Sequence, residues 1–578
     1  MKFIRVNMTD KSVQVEDVPQ AYQGLGGRCL TSSLVNDEVP AMCDPLGPEN
    51  KLVFAPGLLS GTSMVNTGRL SVGTKSPLTG GIKESNAGGT APLALAKFGI
   101  TAIIVEGQGQ KGDLSLLRID ENGDASLVDG NAHKMARTYE LVEKLLGEYG
   151  EKNSVLCIGP AGEHLVSSAS IQSSDTDNRP CRAAGRGGVG AVMGAKGLKA
   201  MVIDRSGKAG DPLADKDAFN AASKVFAKAV QEDIFAGQIL PAQGTAAVVG
   251  IVNSVGAFPS LNATQGVLEG WENISGDKMA EVITERGGET THSGCSRCVV
   301  NCSNVYVDEK GKYVTSSLEY ETIWSTGGMC GISDLDAIAR MDFLCDDIGL
   351  DTMNTGVAMA VAMDAGYKSF GDKQAAIDML EDIAKGNEMG LLLGNGPGAV
   401  GKHFNHKRIP VVKNQAIAAY DPRGIQGMGV TYATSPMGAD HTAGNVLGEN
   451  LADFGGPLNP LKPDGQMEAS RTAQFVNAML DSVGLCILAA TALASPEAME
   501  ALITMVNAKL GTQIGPDELA GIGMKTIQVE LEFNRKAGFT AADDRLPQFF
   551  KEEALSPHNE VFLVSDEDLD NTFSMLGK

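Results

Sequence analysis

The sequence predicts an α+β protein of several domains, with a β-rich N-terminal domain followed by two mainly α-helical domains. The chain has 578 residues, which is too many for one ordinary hydrophobic core. Short strand-like runs separated by glycine turns fill residues 1–208, and long helical patterns fill the remainder. A polar break near Pro410 divides the helical part, so the predicted domains are 1–208, 209–410 and 411–578.

Each element is predicted from a local pattern of apolar residues. Alternating apolar and polar residues predict a strand at residues 1–8, and short strand-like runs predict strands at residues 52–55, 102–105 and 154–158. The N-terminal part has one clear helical pattern, at residues 135–146. Further along the chain, apolar residues recur with the helical period and predict helices at 216–230, 335–345, 373–384, 472–480, 496–510 and 517–536.

The composition narrows the function classes. Hydrophobic residues make up 43% and charged residues 21%, which is typical of a globular protein. The net charge of −23 argues against sequence-independent nucleic-acid binding, which needs a positive field. The N-terminus does not resemble a signal peptide, and the most apolar run, residues 484–494, is too short to span a bilayer. We therefore expect a cytoplasmic protein with no membrane contact.

Three of the ten cysteines form a C-x2-C-x3-C motif at Cys295, Cys298 and Cys302. Clustered cysteines in a large cytosolic chain indicate metal binding before disulfides. A [4Fe–4S] cluster needs four thiolates, so a distant cysteine must complete the set. A structural zinc site is the alternative, but it favours a second C-x2-C pair or an H-x3–5-H pair, and His403 and His406 have x2 spacing. An iron–sulfur cluster is preferred.

A D-x-x-G-L motif occurs twice, at residues 346–350 and 481–485, each time after an amphipathic helix. The glycine predicts a left-handed helix C-terminus, and the preceding aspartate then lies where the helix dipole disfavours a carboxylate. Each copy alone could be an ordinary helix end. Two copies indicate two carboxylates that face two copies of a donor-rich ligand, and a pterin presents such a planar N–H fork. The next residue is Asp351 in one copy and Cys486 in the other.

With longer motifs at residues 74–82, 85–89, 186–194 and 419–424, the chain resembles the tungsten-containing aldehyde:ferredoxin oxidoreductase family along essentially its whole length. The resemblance implies an N-terminal β domain that forms a base for two pterins, over which two helical domains close. It also implies that the pterin sulfurs hold tungsten, or molybdenum, without a direct protein ligand.

The resemblance also implies a set of site residues. Those for the [4Fe–4S] cluster are Cys295, Cys298, Cys302 and Cys486. Those for the pterins are Arg69, Asn86, Gly88, Arg182, Ala183, Gly185, Arg186, Asp346, Asp351, Asp481 and Leu485. Asn86 and the Ala183 carbonyl would bind a Mg²⁺ ion that bridges the pterin phosphates, as suits a hard cation.

The implied reaction is the oxidation of an aldehyde, with water, to a carboxylic acid. Removing protons requires an acid–base group, and the resemblance assigns proton transfer to Glu321. It assigns polarisation of the substrate carbonyl or the tungsten-bound oxygen to His441, with Tyr320 assisting orientation. Electrons would leave through the cluster to ferredoxin or an iron–sulfur partner subunit.

Two other functions stay open. The chain could be the catalytic subunit of a larger complex that reduces an aromatic acid or thioester. A non-catalytic Fe–S electron-transfer protein is the third possibility, but it would not need the paired D-x-x-G-L motifs.

The sequence also departs from the family pattern. Arg340 stands where family homodimers carry a glutamate ligand of a bridging iron, and no histidine lies between Cys302 and His403. We therefore expect the dimer-bridging iron to be absent, which favours a hetero-oligomer. Ala443 stands where some relatives place a lysine that contacts a pterin.

Overall fold

The N-terminal part of the chain forms two six-stranded mixed sheets in the computed structural model, which describes residues 1–208 and 212–577. The strand orders are β2-β1-β6-β3-β4-β5 and β11-β10-β9-β12-β7-β8. The first sheet contains β1 Lys2–Asn7, β2 Ser12–Asp17, β3 Leu52–Pro56, β4 Leu70–Lys75, β5 Ile82–Ala87 and β6 Ile100–Glu106. The second contains β7 Ser115–Ile119, β8 Ala125–Asp129, β9 Asn153–Cys157, β10 Ile171–Ser173, β11 Arg182–Ala184 and β12 Leu198–Asp204.

The central strands are buried on both faces, which explains why they lack a clean apolar–polar alternation. In β3, Leu52 and Phe54 pack into one hydrophobic cluster, whereas Val53 and Ala55 pack into another. Successive side chains of a strand point to opposite faces, so β3 contributes to a core on each side of its sheet.

Among the described residues, five α-helices accompany the sheets of the N-terminal part, and helices dominate the rest of the chain. The five are α1 Gly27–Glu38, α2 Ala91–Lys97, α3 Thr138–Tyr149, α4 Pro160–Glu163 and α5 Val189–Ala195. The next group comprises α6 Lys216–Glu232, α7 Leu240–Gln243, α8 Val248–Ser254, α9 Gly276–Arg286, α10 Tyr320–Thr322, α11 Leu335–Ile348, α12 Thr352–Asp364, α13 Lys373–Lys385, α14 Glu388–Gly394 and α15 Gly396–His403. The last group comprises α16 Gln426–Thr434, α17 Leu447–Asn450, α18 Gln466–Val483, α19 Pro496–Leu510, α20 Pro516–Lys536, α21 Phe549–Glu552 and α22 Asp566–Asn571. Short strands accompany them at β13 Glu289–His292, β14 Ser303–Val307, β15 Tyr313–Ser316, β16 Val411–Val412 and β17 Gln415–Ala416.

The predicted α+β architecture is confirmed, and each of the predicted long helices exists within a few residues of its expected range. The sequence pattern missed α1, and the structure gives the reason. Every residue from Gly27 to Val35 is buried, including the polar Arg28, Thr31, Ser32 and Ser33, so apolar residues do not mark the buried part of this helix in the sequence. The domain boundary at 208/209 adjoins residues 209–211, which lie outside the described residues, and both domain boundaries stay predictions.

Among the described residues, one helical stretch is long and apolar enough to cross a membrane, Phe235–Ser254, with a mean hydropathy of 1.4. It is not one regular helix, because it consists of a π-helical turn, α7, a 3₁₀ turn and α8 in succession. A second candidate joins α18 to the 3₁₀ helix Ile487–Ala494, and this pair is bent by 118°. Such stretches also occur as core helices of globular proteins, so they are weak evidence for a membrane span.

Candidate active site

The two D-x-x-G-L segments lie where helices α11 and α18 end against the two sheets. Gly349 and Gly484 follow these helices in left-handed conformations, with φ of +81° and +83°, as the motif predicts. A Cβ atom on Gly159, after β9, would lie 2.2 Å from the Ile348 carbonyl oxygen. A Cβ on Gly57, after β3, would lie 2.1 Å from the Gly484 Cα. Glycine therefore allows each helix end to pack directly on a sheet.

This packing brings most of the predicted site residues around one deep cavity. Residues from the sheets, from both helix ends and from the loops between them line it. The predicted residues on its wall are Arg69, Asn86, Gly88, Arg182, Ala183, Gly185, Arg186, Glu321, Asp346, Asp351, His441 and Asp481. Tyr320 and Leu485 are buried beside it without lining it.

The carboxyl groups of the two motifs are desolvated in this cavity. Burial, reinforced by the neighbouring Asp342, raises the pKa of Asp346 well above its usual range. Burial and the charge of Glu84 likewise raise the pKa of Asp481. A buried carboxylate is stabilised when it accepts hydrogen bonds from a ligand. Asp346 and Asp481 therefore suit a ligand that presents N–H donors to each of them.

The buried Arg182 and the partly exposed Arg69 supply positive charge on the same wall. Arg182 donates to Ser317 and Glu319 through Nη1, but its Nε and Nη2 atoms have no partner in the part of the chain that the structure describes. Arg69 Nε donates to Asn86 Oδ1 over 2.5 Å. Unused guanidinium donors in a buried cavity suit phosphate oxygens. A Cβ on Gly185 would meet nothing within 4 Å, so the backbone there is open to a ligand.

Glu321 and His441 form a mostly enclosed pair on the cavity wall, with 14% and 17% of their side chains exposed. Glu321 Oε1 lies 3.5 Å from His441 Nε2, and the Ala419 N–H donates to Glu321 Oε2 over 3.0 Å. Burial raises the pKa of Glu321 to about 8 and lowers that of His441 to about 4. At neutral pH the carboxyl therefore holds a proton and the imidazole is neutral, so the pair can exchange a proton with a substrate.

The neighbours of the pair keep it in place. The Tyr320 hydroxyl donates to the Ala419 carbonyl over 2.8 Å. Tyr320 therefore binds the C=O of Ala419, and Glu321 binds its N–H. Asp440 precedes His441 and caps the short 3₁₀ helix that begins there, by accepting from the Thr442 N–H. Lys83 in turn holds Asp440 through an ion pair of 3.0 Å. Tyr320 is thus positioned to orient the backbone beside Glu321.

The four predicted cluster cysteines come from two loops that meet at one side of the cavity. The trio Cys295, Cys298 and Cys302 lies between β13 and β14, and Cys486 follows the end of α18. Cys298, Cys302 and Cys486 contact the same hydrophobic cluster. A Cβ on Gly88, which lines the cavity, would lie 2.5 Å from the Cys295 sulfur, so the cysteines adjoin the cavity wall.

The spacing of these sulfurs fits a cluster better than a single ion. Within residues 1–208 and 212–577, only Asp175, Asp177 and His292 bring three potential ligand atoms within 4.8 Å of one another. In every set of three of these cysteine sulfurs, at least one pair therefore lies more than 4.8 Å apart, wider than the roughly 3.8 Å that follows from tetrahedral Zn–S bonds of about 2.3 Å. Larger spacing leaves room for several iron atoms.

Several cavity residues were not predicted from the sequence. They are Arg28, Lys83, Glu84, Glu319, Asp342 and Asp440. Arg28 forms an ion pair with the buried Glu530 and lies 3.3 Å from Asp481. These partners are distant in the sequence, so no local spacing could have found them. Asp342 lies one helical turn before Asp346 on α11, and this i, i+4 relation was the one available signal.

A cavity with buried carboxyls and unused arginine donors, next to a loose cysteine quartet, is typical of redox proteins that hold a phosphate-bearing cofactor beside an iron–sulfur cluster. Comparison with known families agrees. Residues 3–205 match the profile described as "Aldehyde ferredoxin oxidoreductase, N-terminal domain", and residues 221–577 match "Aldehyde ferredoxin oxidoreductase, domains 2 & 3". The chain therefore belongs to the aldehyde ferredoxin oxidoreductase family of oxidoreductases, and the resemblance seen in the sequence is confirmed.

Individual relatives show the same relationship. The tungsten-containing aldehyde ferredoxin oxidoreductases of Pyrococcus furiosus and Thermococcus kodakarensis are each 34% identical over 576 residues, covering 96% of this chain and 92% of the relative. An aliphatic sulfonate oxidoreductase, WOR-like subunit, of Pyrococcus furiosus is 25% identical over 92% of this chain and 85% of its own length. Among solved structures, the active site complex BamBC of benzoyl coenzyme A reductase with 1,5-dienoyl-CoA shares the fold. Its TM-score is 0.81 and its identity 19%, and the match covers 100% of this chain and 94% of that one.

Proposed function

We propose that this protein oxidises an aldehyde, with water, to a carboxylic acid and passes the electrons on through a [4Fe–4S] cluster. The observation that carries the proposal is the Glu321–His441 pair, placed on the wall of a cavity that adjoins the cysteine quartet. The reaction converts the aldehyde and one water into the acid, two protons and two electrons. It therefore needs a proton acceptor near the reacting carbon and an electron path away from it.

The donor set fits a bis-pterin cofactor that carries tungsten or molybdenum. Arg69, Arg182 and Arg186 would neutralise its phosphates, and Gly88 and Gly185 would allow close backbone approach. Asp346, Asp351, Asp481 and Leu485 would hold the pterin rings. Asn86 and the Ala183 carbonyl would bind Mg²⁺, a cation that prefers oxygen ligands. The bound metal would supply two-electron redox chemistry at the substrate carbon.

The protein's own groups would manage the protons. The ionised form of Glu321 would accept a proton from water or the substrate during aldehyde oxidation. His441 is neutral because burial lowers its pKa to about 4, and a neutral imidazole can donate one N–H to the substrate carbonyl oxygen. The buried surroundings of the pair exclude bulk water and strengthen both interactions.

Electrons would leave one at a time through the cluster held by Cys295, Cys298, Cys302 and Cys486. Ferredoxin or an iron–sulfur partner subunit would accept them. We also propose a cytoplasmic location, no nucleic-acid or membrane partner, and the three domains 1–208, 209–410 and 411–578. The identity of 34% to the tungsten-containing aldehyde ferredoxin oxidoreductases supports this function.

A second candidate is the catalytic subunit of a larger complex that reduces an aromatic acid or thioester. The match to the benzoyl coenzyme A reductase complex over 100% of this chain favours it, as does a relative that is named as a subunit. Arg340, in place of a glutamate iron ligand, also suits a hetero-oligomer better than an iron-bridged homodimer. In the structure, the Arg340 guanidinium lies 5.1 Å from the centre of the Phe343 ring.

Anaerobic assays of the purified holoprotein separate the two candidates. Aldehyde-dependent reduction of a viologen dye is expected, with tungsten or molybdenum and about four iron atoms per chain. Aryl thioester reduction by reduced viologen, without aldehyde oxidation, would favour the second candidate. Zinc without iron in the purified protein would contradict both.

A further inference from the structure

Asn66 lies at the point where the two cysteine-bearing loops meet. It belongs to the loop between β3 and β4, is buried, and has a left-handed backbone with φ of +58°. Its N–H donates to the Arg297 carbonyl over 3.0 Å, and its carbonyl accepts from the Cys486 N–H over 2.9 Å. One residue therefore ties the loop of the cysteine trio to the distant fourth cysteine.

The Asn66 side chain also contacts a cysteine sulfur. Its Oδ1 accepts from the Val299 N–H over 3.3 Å, and its Nδ2 lies 3.4 Å from Cys298 Sγ as a donor. The orientation of the amide follows from these partners. A backbone N–H requires an acceptor, so the oxygen must face Val299 and the NH₂ group must face the sulfur.

We propose that Asn66 is a positioning residue of the iron–sulfur cluster, which aligns its two ligand loops and raises its reduction potential through the N–H···S bond to Cys298. This inference rests on the proposed cluster. Reduction adds negative charge to the cluster and its sulfurs, so a donor to a ligand sulfur stabilises the reduced state more than the oxidised state. The Asn301 N–H donates to the same sulfur over 3.3 Å, so the Cys298 sulfur would accept hydrogen bonds from two donors.

Substitution by glycine separates the side-chain role from the backbone role. Asn66→Gly keeps a residue that tolerates positive φ, so both backbone hydrogen bonds can persist while the N–H···S bond is lost. Asn66→Asp keeps the side-chain shape and an oxygen that accepts from the Val299 N–H, but its second carboxylate oxygen would face the Cys298 thiolate. Asn405→Gly is a matched control, because Asn405 is exposed and also has a left-handed backbone, with φ of +51°.

The test is an EPR-monitored redox titration of the cluster in anaerobically purified holoprotein, with iron analysis. At a fixed potential, the ratio of reduced to oxidised cluster should fall up to about tenfold in Asn66→Gly, a shift of about 59 mV for one electron. The reduction potential of Asn66→Asp should be lower still, and that of Asn405→Gly should match the wild type.

The outcomes are distinguishable. Wild-type potentials in both Asn66 variants at full iron content would overturn the inference and leave the proposed function intact. If Asn66→Gly lost its cluster while Asn405→Gly kept it, the alignment role would be supported, and Asn66→Asp would then report the shift in potential. A wild-type holoprotein without an iron–sulfur signal would remove the proposed function together with this inference.

Discussion

In the Glu321–His441 pair, burial is the largest influence on the protonation states. A solvated glutamate is ionised at neutral pH, whereas desolvation raises the pKa of Glu321 to about 8. The same burial lowers the pKa of His441 to about 4. The two groups titrate in opposite directions from their usual values, which is the pattern expected of acid–base residues in an active site.

Replacing Glu321 by glutamine should remove the titrating group and keep the side-chain shape. Aldehyde oxidation should fall by roughly 10²–10⁴-fold. His441→Asn should lower the rate less, because the role of His441 is to polarise the substrate carbonyl. The base form of Glu321 increases as pH rises through about 8, so the wild-type rate should rise over that range and the Glu321→Gln rate should not. Viologen-linked rates across pH, at equal metal content, test this. Near wild-type turnover in Glu321→Gln would remove Glu321 from the mechanism.

Asp346→Asn should weaken cofactor retention, because an amide accepts fewer hydrogen bonds from a planar N–H fork than a carboxylate does. The neighbouring residue provides a matched control. Asp347 is not on the cavity wall and pairs with Arg137 over 3.3 Å, so Asp347→Asn should keep its cofactor. Tungsten or molybdenum per chain after gel filtration is the measurement. Equal metal content in the two variants would contradict the ring-acceptor role of Asp346.

The sequence predicts those parts of the site whose residues are close together in the chain, and it misses those formed by distant residues. The cysteine trio and the two D-x-x-G-L motifs are short patterns with a physical meaning. The two motifs lie where helix ends meet the sheets, and the trio lies in the loop between β13 and β14. Lys83 and Asp440 were not found, although their ion pair lies beside His441 on the cavity wall. They are separated by more than 350 residues, and only the fold brings them together.

Helices α11 and α18 show two separate reasons why the D-x-x-G-L motif requires glycine. The glycine adopts a left-handed conformation that disfavours other residues, and it also packs against a glycine of the underlying sheet. The motif therefore fixes the distance between the helix end and the sheet, and with it the placement of the preceding aspartate in the cavity. Helices with this local signature were predictable, whereas α1, buried on all sides, was not.

Gly484→Ala should destabilise the protein through two effects. A residue other than glycine at φ of +83° costs roughly 1–2 kcal/mol, and the added Cβ would lie 2.7 Å from the Gly57 Cα. Gly287→Ala isolates the first effect, since Gly287 ends α9 with φ of +78° and a Cβ there meets nothing within 4 Å. Thermal denaturation should give a lower Tm for Gly484→Ala than for Gly287→Ala. Equal Tm values would mean that the close helix–sheet contact relaxes at no cost.

The whole molecule brings together three sets of groups that are far apart in the chain. The sheets provide arginines and glycines, helix α11 provides Asp346, and helix α18 with its following loop provides both Asp481 and Cys486. The last two are separated by a single left-handed turn, so the D-x-x-G-L-C segment joins the cavity wall to the loop that carries the predicted fourth cluster ligand. In the proposed function, this short connection would let electrons pass from the cavity to the cluster without a conformational change.

Cys486→Ser tests this arrangement at the level of the whole chain. Cys486 lies 486 − 302 = 184 residues beyond Cys302, yet its loss should remove the fourth thiolate and degrade the [4Fe–4S] signal. Cys330→Ser is the control, because Cys330 packs in a different hydrophobic cluster, with its thiol 3.6 Å from the carbonyls of Ser325 and Gly356.

EPR spectra and iron content of the two variants are the measurements. Iron near four per chain is expected in Cys330→Ser and a clear loss in Cys486→Ser. Because Asp481 and the rest of the cavity wall are unchanged in Cys486→Ser, tungsten or molybdenum should fall less than iron. A full cluster spectrum in Cys486→Ser would show that another group completes the site. A parallel loss of both metals would instead mean that the cluster loop and the cavity fold as one unit.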